Sequence, residues 1–294
     1  MKFYKYQGTG NDFIMIDNRD NSFSEEQKKD NHFIEKLCHR RFGIGADGLI
    51  LIENPKDKSV EGDFIMVYFN SDGNTSSMCG NGGRCAVAFA YRLGVFEGKE
   101  TTFMAFDGLH FAKIASVENQ EHEIVTQVEL QMGDVSQIEI NADSAENTYF
   151  LNTGSPHYVS FLPKIDNEKT QNGLENYAVV KEGKKVRYNE RFKKEGTNVN
   201  FVARNADNSE KNSIFVRTYE RGVEDETLSC GTGVTACAIA YSLYEKNLNT
   251  NLVNIKTLGG NLKVRFDYST INSEHHFTNI FLIGAATAVF EGNL

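Results

Sequence analysis

Two stretches of this sequence repeat one another: "SSMCGNGGRCAVAFAYRLG" at 76–94 and "SCGTGVTACAIAYSL" at 229–243. Each sets a cysteine, Cys79 or Cys230, ahead of a Gly-x-Gly turn that opens an Ala-rich apolar run. A thiol at a helix start lies beside backbone N–H groups that lack intrahelical partners and carry partial positive charge, which favours thiolate. Glycines at 80, 82, 231 and 233 let such N–H groups approach an anion such as a carboxylate. Each turn therefore offers an acid/base group and a carboxylate cradle. Chemistry that wants two similar acid/base groups is racemisation, in which a proton leaves one face of a carbon and another arrives on the opposite face. One group must start as thiolate and the other as thiol. Cysteine suits the task because its ordinary pKa lies a small shift from neutral.

Other readings stand beside this one. Cys85 and Cys237 fall one and two turns inside their helices among alanines, and read with Cys38 as buried packing residues. Cys79 and Cys230 themselves could be small buried residues at tight turns. Zinc favours Cys-x₂₋₄-Cys pairs, whereas these cysteines are spaced six and seven apart with no nearby histidine. A cysteine nucleophile served by His157 of "TGSPHY" would leave the second cysteine turn without a purpose.

Local patterns supply the elements that must position these groups. "KFYKYQ", the turn "GTGND" and "FIMID" read as strand, turn and strand. A helix is expected from about residue 24, with Ser24 and Gln27 as a capping box, Phe33, Ile34, Leu37 and Arg41 on one side, and Gly43 as its stop. "LILIE" and "GDFIMVYFN" read as strands, the second ending at the turn "SDGN". The first cysteine helix carries Ala86, Phe89, Ala90 and Leu93 at helical spacing and stops at Gly94. Strands dominate from about 101 to 162, and "KIDNEKTQNGLEN" at 164–176 reads as a loop. "TNVNFVARN" and "NSIFVRTYE" precede the second cysteine helix, and "VNIKT", "LKVRFDY", "FTNIFLIG" and "ATAVFEG" follow it as strands. Many strands with three helices make an α+β or mixed α/β pattern rather than regular βαβ alternation. "GTGNDFI" at 8–14 is echoed by "GTNVNFV" at 196–202, so the repeat predicts two similar lobes with the site in the cleft between them. "GIGADG" at 43–48 fits a dinucleotide fingerprint, but a helix precedes it and a strand follows. That order is the reverse of the Rossmann arrangement.

Composition narrows the classes. The chain has 294 residues, 40% hydrophobic and 24% charged, as in a globular protein with ample core. No apolar run approaches the length of a membrane span, and "MKFYKYQGTGND" turns polar too early for a signal peptide. A cytoplasmic location is expected. The formal charge of −9 speaks against nucleic acid; "RYNERFKKEG" at 187–196 is locally basic and reads as a solvated surface. Five cysteines in such a chain are expected to be reduced.

With these motifs in place, the sequence resembles the diaminopimelate epimerase family. The stretches that carry the likeness are "GTGNDFIMID", "RFGIGADGLI", "FNSDGN…MCGNGGRC", "TGSPHYV", "GTNVNFV" and "YERGVEDETLSCGTGVTA", in the family's order from residue 8 to about 236, continued by "GGNLKV" and the C-terminal strand. The resemblance implies two pseudosymmetric lobes, each a sheet wrapped around a central helix. Their expected bounds are 1–122 with Cys79, completed by the strand 283–294, and 123–282 with Cys230. It implies epimerisation of LL- to meso-diaminopimelate, in lysine and peptidoglycan precursor synthesis, with no cofactor and as a homodimer. It assigns proton removal to Cys230 and donation to Cys79. Asn11, Asn70 and Asn198 fall where the family binds the substrate's polar ends, as do Gly80 with Asn81 and Gly231 with Thr232. Glu220 and Arg221 match a Glu-Arg pair, the arginine suited to the distal carboxylate; Glu220 and His157 are placed to tune the thiols. Gly48 stands where many members have a substrate-contacting glutamine, Ser155 where many have asparagine, and Phe290 where some have a tyrosine associated with dimerisation. Rival functions are an epimerase of proline or hydroxyproline, which lack a distal carboxylate for Arg221, and a non-catalytic amino-acid-binding protein, which needs no reactive cysteine. A disulfide between Cys79 and Cys230 is expected to abolish activity until a reductant is added. Turnover that persists with the bond confirmed by mass spectrometry would contradict the two-thiol reading.

Overall fold

The chain begins with a hairpin. Strands β1 (Lys2–Gly8) and β2 (Asn11–Asp17) pair antiparallel with Gly8 opposite Asn11. The two residues of the turn, Thr9 and Gly10, have φ of 50° and 94°, the left-handed pair that a two-residue hairpin turn demands. Glycine takes that conformation freely, whereas β-branched Thr9 takes it under strain. The computed structural model describes residues 1–55, 61–76, 78–120, 123–162, 174–204 and 212–294. It divides into two units, Met1–Gln131 with Ile283–Leu294, and Met132–Leu282.

In the first unit a closed ring of eight strands surrounds one helix. The ring runs β1, β2, β3 (Gly48–Glu53), β4 (Phe64–Asn70), β5 (Glu100–Ala105), β6 (Gly108–Asn119), β7 (Ile124–Gln131), then the last strand, β16 (Glu274–Asn293), and back to β1. The enclosed helix, α3 (Gly80–Arg92), is buried from Gly80 through Ala90. An eight-stranded ring has room for little beyond its own side chains, so the helix within it must be slim. The run Gly-Asn-Gly-Gly-Arg-Cys-Ala-Val-Ala meets that need. β3 is buried along its whole length because both faces are covered. Leu49 and Leu51 join Ile14, Ile16, Ile34, Leu37 and Cys38 under α2 (Asn31–Cys38), while Ile50 faces Gly82 of α3.

The helix expected from 24 to 43 is instead two. α1 (Glu25–Lys29) starts at the Ser24–Gln27 capping box, and Asp30 ends it and caps α2 by accepting from the Phe33 N–H. An aspartate in that role competes with helix continuation.

The second unit repeats the plan. Its strand order is β16 up to Leu282, β15 (Gly260–Ile271), β14 (Leu252–Thr257), β12 (Ser213–Glu220), β11 (Asn198–Arg204), β10 (Pro156–Phe161), β9 (Thr148–Asn152) and β8 (Ile138–Ile140), with β13 (Asp225–Thr227) on β12. A bridge from Val135 to Phe277 returns the chain ahead of β8 to β16. α5 (Gly231–Tyr244) is buried at nearly every residue to Leu243 and packs on β9, β10, β11, β12, β14 and β15. Val199, Phe201 and Ala203 of β11 face away from it, into a cluster with Val179 and Phe192. The alternate residue Asn200 faces α5, where its Oδ1 crowds Gly233. Burying each such Val, Leu or Phe contributes about 1.5–3 kcal/mol.

Several expectations need correction. "FTNIFLIG" and "ATAVFEG" form one strand, β16, because the extended backbone passes Gly284 and continues in ladders with β7 and β1. The division of the chain falls after Gln131 rather than at 122, because β7 is hairpin-paired to β6. A helix that the sequence reading lacks, α4 (Val179–Arg187), packs on β11 and β12. Its Val-Val start and internal glycine are poor helix formers. The loop reading at 164–176 falls mostly outside the described residues. In the basic stretch Arg191, Lys193 and Lys194 are exposed, and Arg191 pairs with Glu139 at 2.6 Å.

Gly183 has a reason within α4. A Cβ there would lie 2.5 Å from Cβ and 2.7 Å from Cγ of the buried Tyr219. Overpacking of about 1–3 kcal/mol outweighs the gain of up to about 1 kcal/mol in helix propensity. Gly183→Ala is therefore expected to lower the urea midpoint; an unchanged or raised midpoint would refute the packing argument.

Candidate active site

Cys79 and Cys230 occupy the same position in the two units. Each is the N-cap of the enclosed helix, with extended backbone (φ −99°, ψ 134° and φ −120°, ψ 113°) and no side-chain capping bond. Their carbonyls accept the first helical hydrogen bonds, from Gly83 at 2.7 Å and Val234 at 2.9 Å. Serine, threonine or aspartate at such a position would cap the helix, a contribution of about 1 kcal/mol. Cysteine forgoes most of that and leaves its sulfur beside the first N–H groups. Cys79 is half-buried and Cys230 buried, and all five cysteines are free thiols. Burial pushes the Cys38 and Cys85 thiols up to about 12 and Cys237 well above the ordinary range. These three are packing residues.

In the first unit a directional chain of hydrogen bonds fixes the turn after Cys79. Arg84, fully buried, donates to Gly80 O (3.2 Å), Thr9 Oγ1 (2.9 Å) and Asn81 Oδ1 (3.0 Å). Thr9 donates to Asn81 Oδ1 at 3.2 Å, Asn81 to Asn11 Oδ1 at 2.5 Å, and Asn11 to Asp47 Oδ2 at 3.0 Å. Arg40 closes on Asp47 at 2.6 Å. The bonds on Thr9 also offset the strain of its left-handed backbone. The hydrogen bonds of Arg84 go to neutral oxygens, and its Nε lacks a partner among the described residues. Burial lowers its pKa, yet a guanidinium stays charged. The structure thus keeps a buried positive charge one turn below Cys79. Asn70 and Gly48 face each other across β4 and β3. A Cβ on Gly48 would come within 2.5 Å of Phe69 O and 2.6 Å of the Tyr68 ring, so no side chain reaches substrate from there.

In the second unit polar side chains gather around Cys230. Its Sγ lies 3.5 Å from Thr232 Oγ1. That hydroxyl is 2.9 Å from His157 Nε2 and 3.1 Å from Ser155 Oγ, and Ser155 is 2.9 Å from the same ring nitrogen. Asn198 donates to Ser155 Oγ (3.2 Å) and Pro156 O (3.0 Å) and accepts from the Arg221 backbone N–H (2.9 Å). The Arg221 side chain is exposed and donates to Glu195 O at 3.1 Å. Glu220 ends β12 opposite Asp225. His157 is fully buried, and burial first, then Arg221, lowers its pKa to about 3. It is neutral at ordinary pH and acts by hydrogen bonding rather than by charge. Gly233 lets α5 approach: a Cβ there would sit 2.5 Å from Asn200 Oδ1 and 3.3 Å from His157 Cε1.

Sequence reasoning missed Thr9, Arg84, Asp47, Asn200 and Thr218. For Asn200 a signal existed, since it follows Asn198 by two on a strand and so shares its face. For Arg84 the signal was a lone charge inside a Gly/Ala run.

A thiol at the N-cap of each enclosed helix is the arrangement expected of an amino-acid epimerase, and the relatives of this chain put it in that class. The comparisons agree: the family model described as diaminopimelate epimerase matches residues 3–138 and 149–287. A relative from Flavobacterium psychrophilum, named diaminopimelate epimerase, is 52% identical over 99% of both chains. One of the same name from Aquifex aeolicus is 41% identical over 100% of this chain and 98% of its own. The crystal structure of a Bacillus anthracis phenazine biosynthesis protein of the PhzF family shares the fold at TM-score 0.67 and 15% identity, covering 100% and 98% of the two chains. The chain belongs to the diaminopimelate epimerase family.

The low pKa of His157 fixes a sign. Well above the unfolded-state pKa of about 6.5 both states hold the ring neutral. Below it the unfolded chain takes a proton that the folded chain refuses until about pH 3. Stability is therefore expected to fall with pH across that window, by up to about 1.4 kcal/mol per pH unit from this group. Urea unfolding at about pH 7 and about pH 5 should give a smaller loss for His157→Gln than for wild type. Equal losses would show that the ring is not held neutral.

Proposed function

We propose that this protein interconverts LL- and meso-diaminopimelate through a thiolate and a thiol, without a cofactor. The observation that carries the reading is the pair of thiols at the same N-cap position of two enclosed helices. In the LL-to-meso direction the Cys230 thiolate takes the α-proton and becomes a thiol. The carbanion then takes the Cys79 proton on its other face, and Cys79 becomes the thiolate. Atoms and charge balance, and the reverse direction exchanges the roles. The turn N–H groups of Gly80 with Asn81, and of Gly231 with Thr232, bind the substrate's polar ends, where the helix dipole favours negative charge.

Asn11, Asn70 and Asn198 serve the polar ends of the substrate, and Arg221 pairs with the distal carboxylate. Its side chain makes one bond to a carbonyl, and a guanidinium has further donors. Ser155 and His157 support Thr232, and Glu220 with His157 tunes the thiols. Free thiols in this role suit the reducing cytoplasm. Assembly as a homodimer is part of the reading. The exposed Phe290 on β16, edge-on to Phe3 at 6.2 Å, is one apolar feature that such an interface would use. Lysine and peptidoglycan precursor synthesis would consume the product.

The test is proton NMR of LL-diaminopimelate with reduced protein in D₂O. Wild type is expected to place deuterium at the α-position and form the meso isomer. Cys79→Ala and Cys230→Ala should each lose about 10²–10⁴-fold, the usual worth of a general acid or base. A reduced wild type that exchanges nothing, yet binds the amino acid, would favour a binding protein on this fold.

A further inference from the structure

Asn200 is three hydrogen bonds removed from Cys230, through His157 and Thr232, and its geometry fixes which ring nitrogen of His157 carries the proton. Its backbone lies on β11 between β10 and β12, in register with Val159 on one side and Thr218 on the other. One end of the amide lies 3.2 Å from Tyr158 O. A carbonyl can only accept, so that end is the nitrogen. The other end then accepts from Thr218 Oγ1 at 3.0 Å. The same nitrogen is 3.0 Å from His157 Nδ1. An amide N–H only donates, so Nδ1 is the acceptor, and a neutral ring must carry its proton on Nε2.

From Nε2 the chain continues outward. The N–H donates to Thr232 Oγ1 at 2.9 Å, with Ser155 Oγ as near. Ser155 Oγ accepts from the Asn198 amide and gives its own proton to Thr232 Oγ1 at 3.1 Å, so that both Thr232 lone pairs are engaged from behind. Its own proton is left for Cys230 Sγ at 3.5 Å. In the opposite tautomer Nε2 would be an acceptor, Thr232 would donate to it, and the sulfur would lose the Thr232 proton.

We propose that Asn200 is a positioning residue for Cys230: it holds His157 in the Nε2–H tautomer, which turns the Thr232 hydroxyl proton toward the sulfur and favours the thiolate. The role in turnover rests on the two-base reading; the hydrogen-bond order does not. Other groups bear on this cluster. Just past β12, next to Glu220 at the strand's end, Arg221 adds to burial in keeping His157 neutral. From α5 there is Cys237, whose thiol burial keeps protonated.

Two substrate-free measurements test this. Proton–nitrogen correlation spectra of protein labelled in histidine should give the Nε2–H pattern for His157 near neutral pH. Thiolate absorbance of Cys230, followed against pH in a Cys79→Ala background, should move upward by about one pH unit, a tenfold loss of thiolate at fixed pH, in Asn200→Leu. The same shift is expected in Thr232→Val, with no further shift in the double variant, because the two act in series. An Nδ1–H or charged ring in wild type overturns the proposal. So does an unshifted titration in Asn200→Leu, or additive shifts in the double variant. If Asn200→Leu does not fold, the wild-type tautomer and the Thr232→Val titration still decide. Failure of the isotope-exchange assay with these results intact would refute the substrate, not the relay.

Discussion

The structure depends on one constraint: a helix enclosed by strands on all sides must hide its own N-terminus. The first N–H groups of α3 and α5 have no intrahelical acceptors, and with α3 buried from Gly80 and α5 at nearly every residue water is a poor substitute. A capping side chain would be the ordinary remedy. Both units instead set a cysteine there whose side chain does not cap the helix. The small residues that make the helices slim enough to enclose also bring their backbones near whatever binds. Packing and chemistry thus ask for the same composition.

The two units then support that N-terminus by different electrostatics. Around Cys79 the hydrogen-bond chain starts on a buried guanidinium and ends on a carboxylate held by Arg40. Around Cys230 the groups in line are neutral, because burial keeps the His157 ring uncharged. The repeat in the sequence makes the divergence concrete. Asp12 and Asn200 hold matching places in "GTGNDFI" and "GTNVNFV". Burial disfavours the Asp12 carboxylate, yet Arg40 and Lys5 outweigh it and hold its pKa down to about 2, whereas Asn200 turns inward to His157.

What was legible in the sequence followed from local rules. The capping box at Ser24 and the two cysteine turns depend on neighbours a few residues apart and stand as read, as do the strand runs apart from the two that merge into β16. Asp30 was not read as a break because its capping bond to Phe33 competes with an unbroken apolar spacing. α4 was invisible because packing on β11 and β12, not propensity, holds it. At the site the cysteines could be found from motif and repeat. The residues that orient their surroundings could not, since Arg84 meets Thr9 across 75 positions and His157 meets Thr232 across 75. Such pairings exist only once strand order and register are known.

The asymmetry has a chemical use on the two-base reading. Two thiols in identical surroundings would share one proton with no preference, and half of the molecules would meet a given substrate isomer in the wrong state. A charged support for one and a neutral, directional support for the other separates their proton affinities. The separation must stay small, because the same pair has to run the reaction backwards with roles exchanged. A neutral histidine that acts through a threonine hydroxyl shifts a thiol by the worth of one hydrogen bond. A charged imidazolium in contact with the sulfur would hold the thiolate so firmly that reversal would fail. Burying His157 until it cannot take a proton is therefore as much a part of the site as the sulfur it serves.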